Sequence, residues 1–238
     1  MCLSERFAKM GMPRFCFFLL YWRASETVKI LITAGPTHEH LDPVRFLSNR
    51  SSGRMGFALA RAAAERGHEV TLIAGPVALP TPTGVTRTDV VSGREMLAAV
   101  ERLLPAHDAL VMSAAVADWR PKRNSPAKLK KAAMTPVLEL EPNPDILAAV
   151  RDLKGKRLFV GFAAETGDPL GEARRKLEAK GLDLIVANDV TLPDAGFEVE
   201  TNRVTLIAKN AAPVSLPLLS KYEVGLRIVT WLESACSL

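Results

Sequence analysis

Between Ser48 and Gly56 the chain reads SNRSSGRMG, with Ser51 and Ser52 just ahead of Gly53 and Gly56. A helix start offers unbonded backbone N–H groups and the positive end of the helix dipole, and glycines let an anion reach them. A phosphate cradle is one reading; an ordinary capped helix whose glycines serve packing is the other. A second stretch, SAAVADWRP (113–121), places small residues where a ligand can approach the backbone, then offers the Asp118 carboxylate and the Arg120 guanidinium. A surface ion pair is the plainer reading of those charges. A third, AKLKK (127–131), sets lysines that either close over a polyphosphate or form a solvated face. No GxGxxG follows the first apolar run and no Walker A motif occurs, which removes the sequence support for a dinucleotide oxidoreductase or a P-loop enzyme.

The elements that must position these residues are legible from periodicity. KILITAG (29–35) is a short apolar run that reads as a buried strand, followed by a polar loop over 36–52. GRMGFALARAAAERG then has helical spacing and closes at Gly67. Strands are expected at EVTLIAG (69–75), VTRTDVV (85–91), DALVMSAA (108–115), RLFVGFAAE (157–165) and LDLIVAND (182–189). Ser92 and Glu95 form a capping-box pattern for a helix running to Leu104. Residues 115–136 show no period and read as a mobile loop, VLELE (137–141) as an edge strand, and 143–153 as a helix with Asn143 as cap and Pro144 in the first turn. PLGEARRKLEAKG (169–181) is a further helix, RVTLIAK and PVSLPL (203–218) a hairpin, and 220–235 an amphipathic helix. The alternation predicts an α/β fold: a mostly parallel, Rossmann-like sheet with helices on both faces, plus a small C-terminal β-hairpin. The loops after Gly35, Ala114, Phe162 and Asn188 should converge on one crevice, because ligands bind beyond the carboxyl ends of such strands.

Composition narrows the partners. The 238 residues are 48% hydrophobic and 24% charged, values of a chain that can bury a core. A net charge of +5 favours anionic partners, but aromatics at 6% are too sparse for a base-stacking surface, so small phosphorylated molecules are favoured over nucleic acid. Cys2, Cys16 and Cys236 lie near the termini and form neither a metal cluster nor a disulfide framework, which suits a cytoplasmic protein. His38, His40, His68 and His107 form no ligand set. The apolar run at 15–22 is shorter than the ~20 residues a membrane span requires. Residues 1–27 read as a dispensable extension outside the core, and 28–238 as one domain.

Taken in order, ITAGPT, LDPVRFLSNRSSGRMG, AAVADWRP, KLKK, NPDI, GFAAET, LDLIVAND and the later GF closely resemble the phosphopantothenoylcysteine synthetase domain. In many bacteria this domain is the C-terminal half of a fused flavoprotein. The resemblance covers about residues 28 to 235 and implies a Rossmann-like, dimeric ligase of coenzyme A biosynthesis. Such an enzyme activates 4′-phosphopantothenate with CTP, assisted by Mg²⁺, and then admits cysteine. It implies no flavin in this chain, no membrane and no nucleic acid, with a separate phosphopantothenoylcysteine decarboxylase acting next.

The resemblance also implies roles. Asn49 matches an asparagine that holds the acyl intermediate, and Lys128 the lysine of a mobile flap. Gly35, Ser51, Gly53 and Gly56 match the cradle for the phosphate of phosphopantothenate. Arg45, Ala114, Ala115, Asp118 and Asn188 match further residues of that site, some supplied across the dimer. Met112, Ser113, Ala114, Asp118 and Lys128 fall in the nucleotide site. So do Pro144, Asp145, Ile146 and Leu147, with Phe162, Lys176 and Lys180. The resemblance leaves the residues that hold Mg²⁺ open. The competing classes are a nucleotide-dependent oxidoreductase and a nucleotide-sensing module without catalysis.

Overall fold

The computed structural model describes residues 27–130, 137–165, 169–189, 199–209 and 211–236. The first 26 residues, Lys131 of the basic run, Thr166 and the Gly196–Phe197 pair lie outside the described residues. The centre is an eight-stranded sheet ordered β13 (Val214–Ser215), β12 (Val204–Ala208), β10 (Leu184–Asp189), β9 (Leu158–Glu165), β6 (Ala109–Met112), β1 (Lys29–Ala34), β4 (Glu69–Ala74) and β5 (Val85–Asp89). Its parallel part comprises β1, β4, β5, β6, β9 and β10. The chain steps outward from β1 through β4 to β5, then returns to lay β6, β9 and β10 on the other side. The reversal between β1 and β6 is the topological switch at which such sheets leave a crevice. The C-terminal hairpin, β12 (Val204–Ala208) and β13 (Val214–Ser215), extends this sheet antiparallel from β10.

Strand alternation sorts the core into two layers. Ile30, Ile32, Val70, Leu72, Val111 and Val186 face α1 (Arg54–Glu65) and the long C-terminal helix, Lys221–Cys236. Leu31, Ile73, Leu110, Phe159 and Ile185 face α2 (Gly93–Leu103), α3 (Ile146–Ala149) and α4 (Pro169–Ala179). The Lys221–Cys236 helix is therefore α5. Both faces are covered, which is why the central strands read as continuous apolar runs. The Ser92 half of the capping box forms, with Ser92 Oγ accepting from Glu95 N at 3.2 Å, while Glu95 Oε2 accepts from the N–H of Val91, one residue before the cap, at 2.9 Å.

Four local expectations fail. The 36–52 segment is not all loop: β2 (Glu39–His40) pairs with β3 (Phe46–Leu47). VLELE does not edge the main sheet. Only its end enters a strand, β8 (Leu140–Pro142), which pairs with β7 (Trp119–Pro121) in a separate two-stranded sheet. Residues 115–136 are thus not a uniform loop. The helix expected over 143–153 is a single turn, α3, followed by a 3-10 turn at Arg151–Leu153. Asp145 caps it, accepting from Ala148 N at 3.2 Å, whereas the Asn143 side chain instead donates to Ala117 O at 2.8 Å. A cap one residue before Pro144 gave way to a long-range bond that only the folded chain offers.

Candidate active site

At the switch point the backbone beyond β1 and β6 stays joined. Ala115 N donates to Gly35 O at 2.9 Å, and Pro36 and Ala115 form a parallel bridge. Two threonines of the first-strand segment fix the small-residue loop above: Ala114 N donates to Thr33 Oγ1 at 3.2 Å and Ala117 N to Thr37 Oγ1 at 3.0 Å. Asn143 bolts the same loop from the other side, through Ala117 O and through its own N–H to Asp118 O at 2.8 Å. Thr33, Thr37 and Asn143 were not singled out for this role in the sequence, where nothing local marks them.

Above this frame lies a cleft of ≈ 430 Å³. Its walls bring together Met112, Ser113 and Ala114 from the end of β6, Asp118 and Asn49 from the loops, and the Pro144–Leu147 turn. Phe162 and the half-buried Lys176 and Lys180 complete it. Lys176 on α4 and Lys180 just past its end stand at i, i+4 spacing, with Lys180 N donating to Lys176 O at 3.0 Å. Lys180 Nζ stands 3.4 Å from Asp145 Oδ2, so a helix-capping carboxylate also orients a cleft lysine. All the expected nucleotide-site residues except Lys128 therefore line one cavity.

A smaller adjoining cavity opens at the start of α1, lined by Ser51, Gly53 and Gly56, with Asn188 on the far side. Gly53 precedes the helix in left-handed backbone (φ 75°), a conformation that suits glycine, and no side chain caps this helix. A helix start without a side-chain cap can offer its first-turn N–H groups to an anion. Gly35 (φ +83°) lies directly beneath: a Cβ on Gly53 would come 3.4 Å from the Gly35 Cα. Gly56 lets α1 press onto β1, since a Cβ there would meet the Ala34 Cβ at 2.5 Å. Asn188 Nδ2 donates to Asn202 Oδ1 at 3.3 Å, while Asn188 Oδ1 is buried with no hydrogen-bond partner among the described residues. Ser113, Phe162 and Ala163 line both cavities and so form their common wall.

Arg45, Lys128 and Arg120 lie outside both cavities. Arg45 donates through Nε to Asp42 Oδ2 at 3.0 Å and through Nη2 to Leu129 O at 3.0 Å. The buried Asp42 carboxylate also accepts from the N–H groups of Val44, Arg45 and Leu129. The Arg45 guanidinium and these backbone donors hold the Asp42 carboxyl far below the usual carboxylate range. Together they fasten the segment that carries Lys128, whose side chain is exposed beside this clasp. Arg120 is likewise structural, donating from Nε to Glu141 Oε1 at 2.9 Å. Asn49 Nδ2 donates to Val116 O at 3.1 Å and, more weakly, to Ala115 O at 3.4 Å, which hangs it on the cleft wall. Lys221, the first residue of α5, lines the smaller cavity and was missed in the sequence. A lysine opening a helix, where acidic residues are favoured, was the available signal. Among the described residues no group of three His, Cys, Asp or Glu forms a metal site, and no helix is long and apolar enough to cross a membrane.

The family described as the DNA/pantothenate metabolism flavoprotein C-terminal domain matches residues 25–235. The chain is 52% identical over 196 residues to the coenzyme A biosynthesis bifunctional protein CoaBC of Vibrio cholerae, covering 81% of this chain and 49% of that protein. It is 48% identical over 202 residues to CoaBC of Escherichia coli, covering 83% of this chain and 50% of that protein. The chain thus spans about half the length of the curated relatives it matches. The solved C-terminal domain of a CoaBC superposes with a TM-score of 0.77 at 41% identity, covering 90% of this chain and 98% of that domain.

Proposed function

The chain belongs to the DNA/pantothenate metabolism flavoprotein C-terminal domain family, and from that premise we propose that it joins cysteine to 4′-phosphopantothenate through an acyl-cytidylate. The observation that carries this reading is the pair of adjoining cavities that share the wall Ser113, Phe162 and Ala163. Joining a carboxylate to a nucleotide requires two anionic substrates held end to end, and these cavities are so arranged. The cleft with Lys176 and Lys180 takes the nucleotide. The helix-start cradle takes the substrate phosphate, and the buried Asn188 Oδ1 accepts from a hydroxyl or amide of its chain.

The carboxylate is already ionised at neutral pH, so activation needs alignment and charge neutralisation rather than a base. Its oxygen attacks the α-phosphorus of CTP and pyrophosphate leaves. Lys176 and Lys180 neutralise phosphate charge in the cleft, and Lys128 closes over it from the clasped segment. The Asp118 carboxylate on the cleft wall would hold a Mg²⁺ ion brought with the nucleotide, and that ion would add charge neutralisation. The cysteine amine then attacks the acyl carbon, CMP departs and the amine proton passes to solvent. Asn49, with Nδ2 held chiefly at Val116 O, gives up its weaker hydrogen bond to Ala115 O and turns that amide hydrogen to the developing oxyanion. The product is a substrate for a phosphopantothenoylcysteine decarboxylase, and the reading places the enzyme in the cytoplasm.

The same reading makes the enzyme a homodimer. Val44, Phe46, Trp119, Leu138 and Leu140 are exposed apolar side chains on or beside the two small sheets, which pack together through β2 and β7. This face supports the dimer better than the C-terminal hairpin, whose pairing the main sheet absorbs. Sedimentation at micromolar concentration should give twice the chain mass, and an active monomer would remove the dimer from the reading. The decisive assay mixes protein, CTP, Mg²⁺, 4′-phosphopantothenate and cysteine and measures pyrophosphate and the ligated product. CTP binding without pyrophosphate release would make the chain a sensing module instead. Comparing kcat/KM for CTP and ATP tests the nucleotide preference.

A further inference from the structure

Two segments of the larger cleft meet at Asn143. The loop Ala114–Asp118 lines the cleft, and so does the turn Pro144–Leu147, which starts at the very next residue. Asn143 Nδ2 donates to Ala117 O at 2.8 Å, and its backbone N–H donates to Asp118 O at 2.8 Å. Its Oδ1 accepts from Arg120 Nη1 at 3.1 Å, while the same Nη1 donates to Pro142 O at 2.7 Å. Arg120 is held in turn by Glu141, whose Oε1 accepts from Nε at 2.9 Å and lies 2.8 Å from Nη2. The carboxamide is thus oriented by a guanidinium that stands outside the cleft. Helix α2 packs closely behind: a Cβ on Gly93 would come 3.1 Å from Val116 Cγ1 and 3.4 Å from Asn143 Nδ2. Proline at 144 has a fixed φ, so the position of Asn143 is passed directly into the turn that follows.

We propose that Asn143 is a positioning residue for the nucleotide: it ties the Ala114–Asp118 loop to the Pro144–Leu147 turn and so fixes the spacing of two segments that receive the nucleotide. The assignment rests on the function proposed above. Without the tie, loop and turn take a range of separations, and the apparent affinity falls by the fraction of chains at the fitting width. Arg120 acts through Asn143, because its Nη1 fixes which way the carboxamide points. The helix-start cavity is not lined by Asn143, so the acid substrate should not sense the tie.

The test uses the full chain carrying Asn143→Ala, Arg120→Lys, or both. Lysine keeps a charge beside Glu141 but lacks the planar fork that reaches Glu141 and Asn143 at once. Calorimetry with CTP and Mg²⁺ should show Kd for CTP raised about 10-fold by Asn143→Ala, which removes two neutral or charge-assisted hydrogen bonds, and less by Arg120→Lys. The double variant should bind CTP no worse than Asn143→Ala, since both changes undo one tie. KM for 4′-phosphopantothenate should stay near wild type in all three. A lower Tm with unchanged CTP affinity would overturn the proposal and leave Asn143 a stabilising bond only. Equal losses for CTP and 4′-phosphopantothenate would overturn it too, because they report general loosening. So would a loss in Asn143→Ala with Arg120→Lys at wild-type affinity, since Asn143 would then touch the nucleotide itself. If Asn143→Ala does not fold, Arg120→Lys decides by whether CTP affinity falls while KM for 4′-phosphopantothenate holds. CTP binding that depends on Asn143 in a chain releasing no pyrophosphate would keep this proposal and defeat the ligase reading instead.

Discussion

Replacing Gly56 by alanine inverts the usual effect of that exchange. In a helix interior, glycine to alanine ordinarily gains about 1 kcal/mol. Here the new Cβ would lie 2.5 Å from the Ala34 Cβ, 3.1 Å from Thr33 O and 3.2 Å from the Ala34 Cα. Carbon pairs settle near about 3.5–4.0 Å, so the start of α1 must withdraw from β1 by roughly 1 Å. Overpacking of this kind costs about 1–3 kcal/mol, which less the helical gain leaves a net loss of about 0–2 kcal/mol. The displaced turn is the one whose N–H groups form the cradle. A shift of about 1 Å in a positioning element can lower a rate by about 10²-fold, so kcat/KM for 4′-phosphopantothenate should fall far more than stability does. Urea unfolding and steady-state kinetics measure the two effects. Gly67→Ala is the control: its φ of +86° strains an alanine, yet nothing lies within 4 Å of the added Cβ. It should lose stability and keep KM. A Gly56→Ala protein as stable and as active as wild type would refute the argument that this contact sets the cradle.

Other outcomes follow from the same geometry. Asn49→Asp puts a carboxylate against the carbonyl oxygens of Val116 and Ala115 and removes a donor; the acyl-cytidylate should form and persist, with the cysteine step slowed by about 10²–10³. Quench-flow mass spectrometry reads this, and equal slowing of both steps with a lower Tm would make Asn49 a structural tie. Lys128→Gln should cut pyrophosphate release even without cysteine and leave Tm unchanged, since the side chain is exposed and its segment is fastened through Leu129; near-normal release would assign Lys128 to a solvated face. Asp42 has a folded pKa below its unfolded one, so its stabilisation is fully present above about pH 4 and declines as pH falls below that value. The Tm difference between wild type and Asp42→Asn should therefore be largest near neutrality and shrink in acid; a difference that grows on acidification would contradict this sign.

The sequence by itself determined the layers. The ILI and LIVA cores of runs such as KILITA and LIVAND are apolar without alternation because both faces of a parallel strand are buried, and the spacing of Ser92 and Glu95 specifies a cap with partners three residues apart. Glycines 53 and 56 were also legible as a helix start with room for an anion, since that signal is contained within one turn. Tertiary structure alone decided the rest. The two-residue strands β2 and β3 carry no period, and Asn143 chose a carbonyl of Ala117 over the nearer role of helix cap. Arg45 became a clasp because Asp42 and Leu129, distant in sequence, meet beside it. Lys221 reached the cradle only because α5 packs along α1 and brings its first residue to the opening where Ser51, Gly53 and Gly56 face Asn188. Periodicity and capping act over a few residues, whereas a site assembled from opposite ends of the chain depends on contacts that have no local energetic signature.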